Sequence, residues 1–284
     1  MKIKQAVYDK RTNNEKKGEK YIFAVIFIGL LILRFPLLII PQFTILSISS
    51  DNLFLIYING TYFLTAVLIF LERNKLSQFK INIFAITIFL LTPILKPIVY
   101  FFAKVHIPFN SLFFIWFNII VSVLLCLSLV ISHTKIHIDK FKYHIKWFIL
   151  SVFIGVITAI VLSLIYSRNE TSSEYKASII TYLVCVVTQM SHAAIMEEPL
   201  FRGFLWGCLE KKGLNLIWIC FFQAAFFCIG HVYYLPLYPV NFIATFVVAL
   251  ILGYLVWKSK SIGTSIIAHG IINSLVDLIV HYKW

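Results

Sequence analysis

The chain is short of charge. Only 13% of its 284 residues are Asp, Glu, Lys or Arg, and just 12 of them are acidic. A water-soluble domain covers its surface with about a quarter charged residues, so a soluble enzyme or carrier is excluded. Internal repeats, low-complexity tracts and Gly/Ser linkers are also lacking, and no stretch is left for a separate soluble domain. The five cysteines (Cys126, Cys185, Cys208, Cys220, Cys228) show no CxxC spacing and lie inside or beside apolar runs. They read as small apolar fillers rather than disulfides or zinc ligands. A small-residue cleavage site is missing after the basic start, and the apolar run there is too long for a signal peptide.

What the chain has in excess is apolar surface: 60% hydrophobic residues and a mean hydropathy of +0.89. Apolar runs of about twenty residues recur from end to end, the length that crosses the hydrocarbon core as a helix. Spans are expected near residues 21–40, 53–71, 82–103, 111–131, 147–166, 177–197 (with a helical continuation to 209), 216–231, 239–257 and 262–281. The expected fold is therefore an all-α polytopic bundle of eight or nine transmembrane helices, eight if one run is re-entrant. Short loops imply antiparallel neighbours. The 27 Phe, 14 Tyr and 6 Trp supply lipid-facing bulk and interfacial anchors.

A net charge of +13 could suggest nucleic acid, but the basic residues sit in short loops. With the N-terminus in the cytoplasm, segments 1–20, 72–81, 132–146, 210–215 and 258–261 hold 18 Lys/Arg; the outer segments hold only Lys104, Arg168, Lys176 and Lys283. Such asymmetry is the mark of cytoplasmic loops. The expected location is the cell membrane, multi-pass, with the N-terminus cytoplasmic and no nucleic-acid partner. Arg34, before Pro36, can snorkel, and Lys96 between Pro93 and Pro97 marks a kink. His133, His137 and His144 lie in a basic inner loop at no metal-ligand spacing, and no role is expected of them. Organisation follows as a basic cytoplasmic tail (1–20), N-terminal transmembrane helices (21–176) and a core carrying the chemistry (177–284).

Ionisable groups at membrane depth are costly and mark candidate sites. The acids within apolar runs are Glu197, Glu198 and Asp277. Glu198 and Arg202 stand at i,i+4 and can pair on one helix face. Glu197, about 100° further round, is left to act as a base, and burial suits it to that role. A structural Glu–Arg clamp explains Glu198 and Arg202 equally well, but not Glu197. Further on, His231 ends one apolar run, while His269 and Asn273 share a face of the last. A His/Asn pair offers two donors toward one point, as an oxyanion requires. Gln189, Ser191 and His192 precede the glutamates and either line an entrance or pack. Asp277, a further i+4 step from Asn273, either meets interfacial water or pairs inside the bundle and fixes the rotation of the last helix.

Glu197-Glu198-Pro-Leu-Phe-Arg202 reads EExxxR, Phe227-Cys-Ile-Gly-His231 reads FxxxH, and His269-Gly-Ile-Ile-Asn273 reads HxxxN. In this order, on successive apolar segments, they resemble the signature of the CPBP (Abi, or CAAX prenyl endopeptidase-like) intramembrane proteases, over roughly 177–280. That resemblance implies Glu197 activating water with His231, Glu198 and Arg202 holding the site, and His269 with Asn273 stabilising the oxyanion. It implies a small membrane-associated peptide or protein as substrate, in peptide maturation or bacteriocin self-immunity. Glutamate and histidine are also zinc ligands. HExxH is absent, however, and the expectation is a metal-free site without cofactor, zinc being the alternative. GxSG and GxGD, the serine and aspartyl signatures, are absent as well. The competing reading is a non-enzymatic immunity or regulatory protein that keeps the motifs as scaffold. A proton-coupled transporter using Glu197 and Asp277 would show two related halves, which the sequence lacks.

Overall fold

The computed structural model describes residues 18, 21–33, 59–61, 63–71, 138–166, 179–189, 195–231 and 239–281, with isolated positions between 86 and 124. Nearly all of the basic tail, most of the spans expected at 82–103 and 111–131, and Arg34, Lys96, Cys126, His133, His137, Ser191 and His192 lie outside the described residues. Among the described residues all regular structure is helical: α1 (Tyr21–Ile32), α2 (Asn59–Leu71), α3 (Ile138–Tyr166), α4 (Ile179–Gln189), α5 (Ile195–Glu198), a π-helical stretch (Pro199–Leu205), α6 (Trp206–Lys211), α7 (Leu216–Ile229), α8 (Pro239–Ser259) and α9 (Ile262–His281). Three of these, Ile145–Ile165 within α3, Pro239–Ser259 and Ile262–Ile279 within α9, are long and apolar enough to cross a membrane.

Helix α9 is the centre, with 67% of its apolar window buried against 28% for α3. What lets α3 approach it is a stripe of small residues at i+4 spacing, Ser151, Gly155, Ala159 and Ser163, all buried. Small residues are how membrane helices bring backbones close. A Cβ on Gly155 would stand 3.1 Å from the Ala268 carbonyl oxygen and 3.2 Å from Ile271 Cβ. On the opposite face Ile149, Phe153, Ile160 and Leu164 are exposed, as lipid-facing residues should be. Within the stripe, the Ser151 and Ser163 hydroxyls donate to the carbonyls four residues back, so no polar hydrogen faces hydrocarbon.

The turns are chemically specified. Gly213, at φ 76°, closes α6: its N–H donates to the Glu210 carbonyl at 2.9 Å, and Leu214 N–H to Leu209 at 3.3 Å, the paired bonds of a Schellman cap. Asn215 then caps α7, its Oδ1 accepting from Ile217 N–H. Between α8 and α9, Ser259 and Ser261 tie a two-residue turn: Ser259 Oγ lies 2.8 Å from Thr264 Oγ1 and accepts from Ser261 N–H, while Ser261 Oγ accepts from Gly263 N–H. Helices α8 and α9 are thereby locked together. A core of Phe27 and Leu30 from α1, Phe201 and Phe204 from the π stretch, Phe227 from α7 and Ile266 from α9 joins the N-terminal helices to this unit.

Candidate active site

Pro199 sets the local geometry of the double glutamate. Proline has no N–H to give to the residue four back, and its ring crowds that carbonyl. The helix responds by widening: Pro199–Leu205 is π-helical, and Trp206 N–H reaches back five residues to the Phe201 carbonyl. Such single-turn expansions cluster at functional sites. Glu198 and Arg202 still meet across it, Arg202 Nη1 donating to Glu198 Oε1 at 3.0 Å with both side chains fully buried.

The expected residues converge. His269 Nδ1 lies 2.7 Å from the same Glu198 Oε1, so Glu198 bridges Arg202 and His269. A carboxylate accepts, which puts the Nδ1 hydrogen on His269 toward Glu198 and turns Nε2 inward. His231 is oriented in the same manner, its Nδ1 2.8 Å from the Phe227 carbonyl, which can only accept. The two Nε2 atoms flank Glu197: His231 Nε2 stands 3.5 Å from Oε1 and His269 Nε2 3.8 Å from Oε2. Glu197 is itself buried at 7% exposure. A carboxylate and two outward-anchored imidazoles thus face one small volume.

Asn273 is brought to the same face of α9, but its Nδ2 donates to Gln189 Oε1 on α4 at 3.3 Å. Gln189, which the sequence left between lining and packing, is therefore the partner of an expected site residue. Asp277 is half-buried and near enough to Cys185 of α4 to act on it electrostatically. Among the described residues Cys185, Cys208, Cys220 and Cys228 form no disulfide, and Cys228 donates weakly to the Phe242 carbonyl.

Two contributors were not singled out from the sequence. Phe227, read only as the first letter of FxxxH, is the hub of the site. Arg202 lies 4.3 Å from its ring centroid, His231 tilts over it at 4.5 Å, and His269 and Phe201 meet it edge-on at 5.9 and 5.1 Å. A desolvated cation over a ring is worth about 2 kcal/mol. The second is Gln223, fully buried in α7. Its Nε2 donates at 2.9 Å to the carbonyls of Cys220 and of Ala249 on α8. Arg202 Nη2 reaches that same Ala249 oxygen at 3.4 Å. Among the described residues Gln223 Oε1 finds no hydrogen-bond partner, and a buried acceptor left unmet costs about 1–3 kcal/mol. A polar residue inside an all-apolar helix was the available signal for it.

By type, two imidazoles and a carboxylate are zinc donors. Among the described residues, no three His, Cys, Asp or Glu side chains are grouped so as to hold a metal.

Neither a curated protein nor a solved structure matches the chain. A family profile does, and it matches over 177–275, which spans all three motifs. The resemblance carried by EExxxR, FxxxH and HxxxN is thus found independently, and this segment of the chain is similar to the family described as type II CAAX prenyl endopeptidase, Rce1-like.

Proposed function

We propose that the protein is an intramembrane endopeptidase that hydrolyses a peptide bond of a small membrane-associated peptide or protein with water activated by Glu197. The observation that carries this reading is the Glu197 carboxylate, buried between the inward-facing Nε2 atoms of His231 and His269 at 3.5 and 3.8 Å. In this reading Glu197 takes a proton from a water held against His231, and the oxygen attacks the scissile carbonyl. Glu197 then returns the proton to the leaving amine. The oxyanion is met by His269 and Asn273. Glu198, bonded to His269 Nδ1, is the partner an imidazolium needs while Nε2 donates. Asn273 keeps a second amide hydrogen beyond the one given to Gln189.

The site sits in a chain we take as an eight- or nine-span bundle with a cytoplasmic N-terminus, residues 177–284 forming the catalytic core. Membrane-associated substrates agree with the Rce1-like kinship, and peptide maturation or bacteriocin self-immunity is the role in view. The test is comparative peptidomics of cells making the wild-type protein and Glu197→Ala at equal levels. Fragments of one membrane-associated peptide should be lost in the variant, with its precursor accumulating. Identical peptidomes together with retained immunity would favour the non-enzymatic binding reading.

A further inference from the structure

The arrangement of Glu198, Arg202 and His269 depends on a support outside the three motifs. Arg202 is held at three points: Nη1 on Glu198, its guanidinium over the Phe227 ring, and Nη2 on the Ala249 carbonyl of α8. The last anchor is the longer of the two hydrogen bonds, at 3.4 Å, and it is shared. Gln223 donates to the same oxygen at the closer distance of 2.9 Å and ties it to the Cys220 carbonyl of its own helix. One amide group therefore staples α7 to α8 at the oxygen from which Arg202 hangs.

The room for this staple is made by a glycine. A Cβ on Gly253, one turn past Ala249 on α8, would collide with Gln223 Nε2. Gly253 is buried and in an ordinary helical segment, and its backbone conformation demands no glycine. Its bareness serves the close passage of the Gln223 amide.

We infer that Gln223, seated over Gly253, is a positioning residue of the site: it fixes the Ala249 carbonyl, and through Arg202 and Glu198 it sets the direction in which His269 Nε2 faces Glu197. The inference rests on the proteolytic reading for its effect on turnover, but its geometric part can be read without any substrate. The hydrogen bonds of Gln223 go to Cys220 and Ala249 rather than to Glu197 or either histidine, and its effect is transmitted through Arg202.

The test uses the full chain in lipid nanodiscs, as wild type, Gln223→Met, Gly253→Ala and the double variant. Two readouts are taken. One is the set of ring ¹⁵N shifts of His269, assigned by loss in His269→Gln, which reports the Nδ1 hydrogen bond to Glu198. The other is kcat and KM on an internally quenched farnesylated CAAX peptide. Gln223→Met should shift the His269 Nδ1 resonance and lower kcat by about ten- to a hundredfold, as small misplacements of reacting groups do, with KM nearly unchanged. Gly253→Ala should reproduce both effects by displacing the amide, and the double variant should be no worse than Gln223→Met. Where Gln223→Met does not accumulate, Gln223→Asn, which draws the donor back by one methylene, carries the same comparison. Folded variants with wild-type His269 shifts and kcat, differing only in melting temperature, would overturn the inference and leave Gln223 a packing residue. If the wild type does not cleave the peptide, the proteolytic reading fails for that substrate, while the nitrogen shifts still decide on Gln223.

Discussion

Glu197 and Glu198 are neighbours in sequence with opposite surroundings. Glu198 is held by a guanidinium and an imidazole; Glu197 faces two imidazole nitrogens from longer range. The pairing of Glu198 with Arg202 was legible because i,i+4 spacing alone predicts it. The bridge from Glu198 to His269 was not, since 71 residues separate them and only the packing of α9 makes them meet. Removing one partner of a buried ion pair strands the other, at about 3–5 kcal/mol. Arg202→Ala is therefore expected to lower the melting temperature and cleavage together, and Glu198→Gln to do the same more mildly, because its amide oxygen still accepts from Arg202. Thermal melts and turnover of the two purified variants check this. Loss of turnover with an unchanged melt in Arg202→Ala would separate it from the structural role assigned here.

At the scale of elements, the helices at 216–231, 239–257 and 262–281 were legible within a few residues, because length and apolarity determine where a chain can cross; the one expected at 147–166 begins earlier, at Ile138, because the helix runs on through the polar residues before its apolar stretch. The run at 177–197 resolves differently: α4 is described to Gln189 and helix resumes at Ile195, with 190–194 outside the described residues. The π stretch after Pro199 was not anticipated. Proline announces a disturbance, but whether a helix kinks or widens depends on the packing that meets the freed carbonyl. The Ser151–Gly155–Ala159–Ser163 stripe was present in the sequence, hidden because the apolar residues around it dominate the pattern. Its consequence is testable. Gly155→Leu would drive a side chain into the Ala268 carbonyl, one residue before His269. It should cost about 1–3 kcal/mol, as overpacking does. Cleavage should fall with it, whereas Phe153→Leu on the exposed face should leave both unchanged. Equal melting temperatures for the two variants would argue against close α3–α9 packing.

At the scale of the whole molecule, one helix organises the rest. Helix α9 carries His269 and Asn273, receives α3 on one side and α4 on another, and is locked to α8 by the serine turn. The spans before α3 were read from hydropathy alone; of them α1 reaches the site's flank through Phe27, which meets Phe201 edge-on at 5.8 Å. The orientation proposed across the bilayer rests on charge alone, 18 Lys/Arg in the segments taken as inner against four in those taken as outer. A single cysteine at position 140, in a chain with its native cysteines replaced, should accordingly resist a membrane-impermeant maleimide in intact cells and react once they are opened. Labelling in intact cells would reverse the topology.

The central claim is that Glu197 is the base, and purified protein in liposomes tests it most directly. Wild type and Glu197→Gln, an almost isosteric change that abolishes the base, are compared on a quenched farnesylated CAAX peptide with phenanthroline present throughout. The account predicts that the wild type cleaves despite the chelator. Glu197→Gln should fold and melt like wild type yet lose at least about a hundredfold in kcat, the lower range for removing a general base. Full turnover by Glu197→Gln, or a wild-type activity abolished by the chelator and restored by zinc, would contradict it.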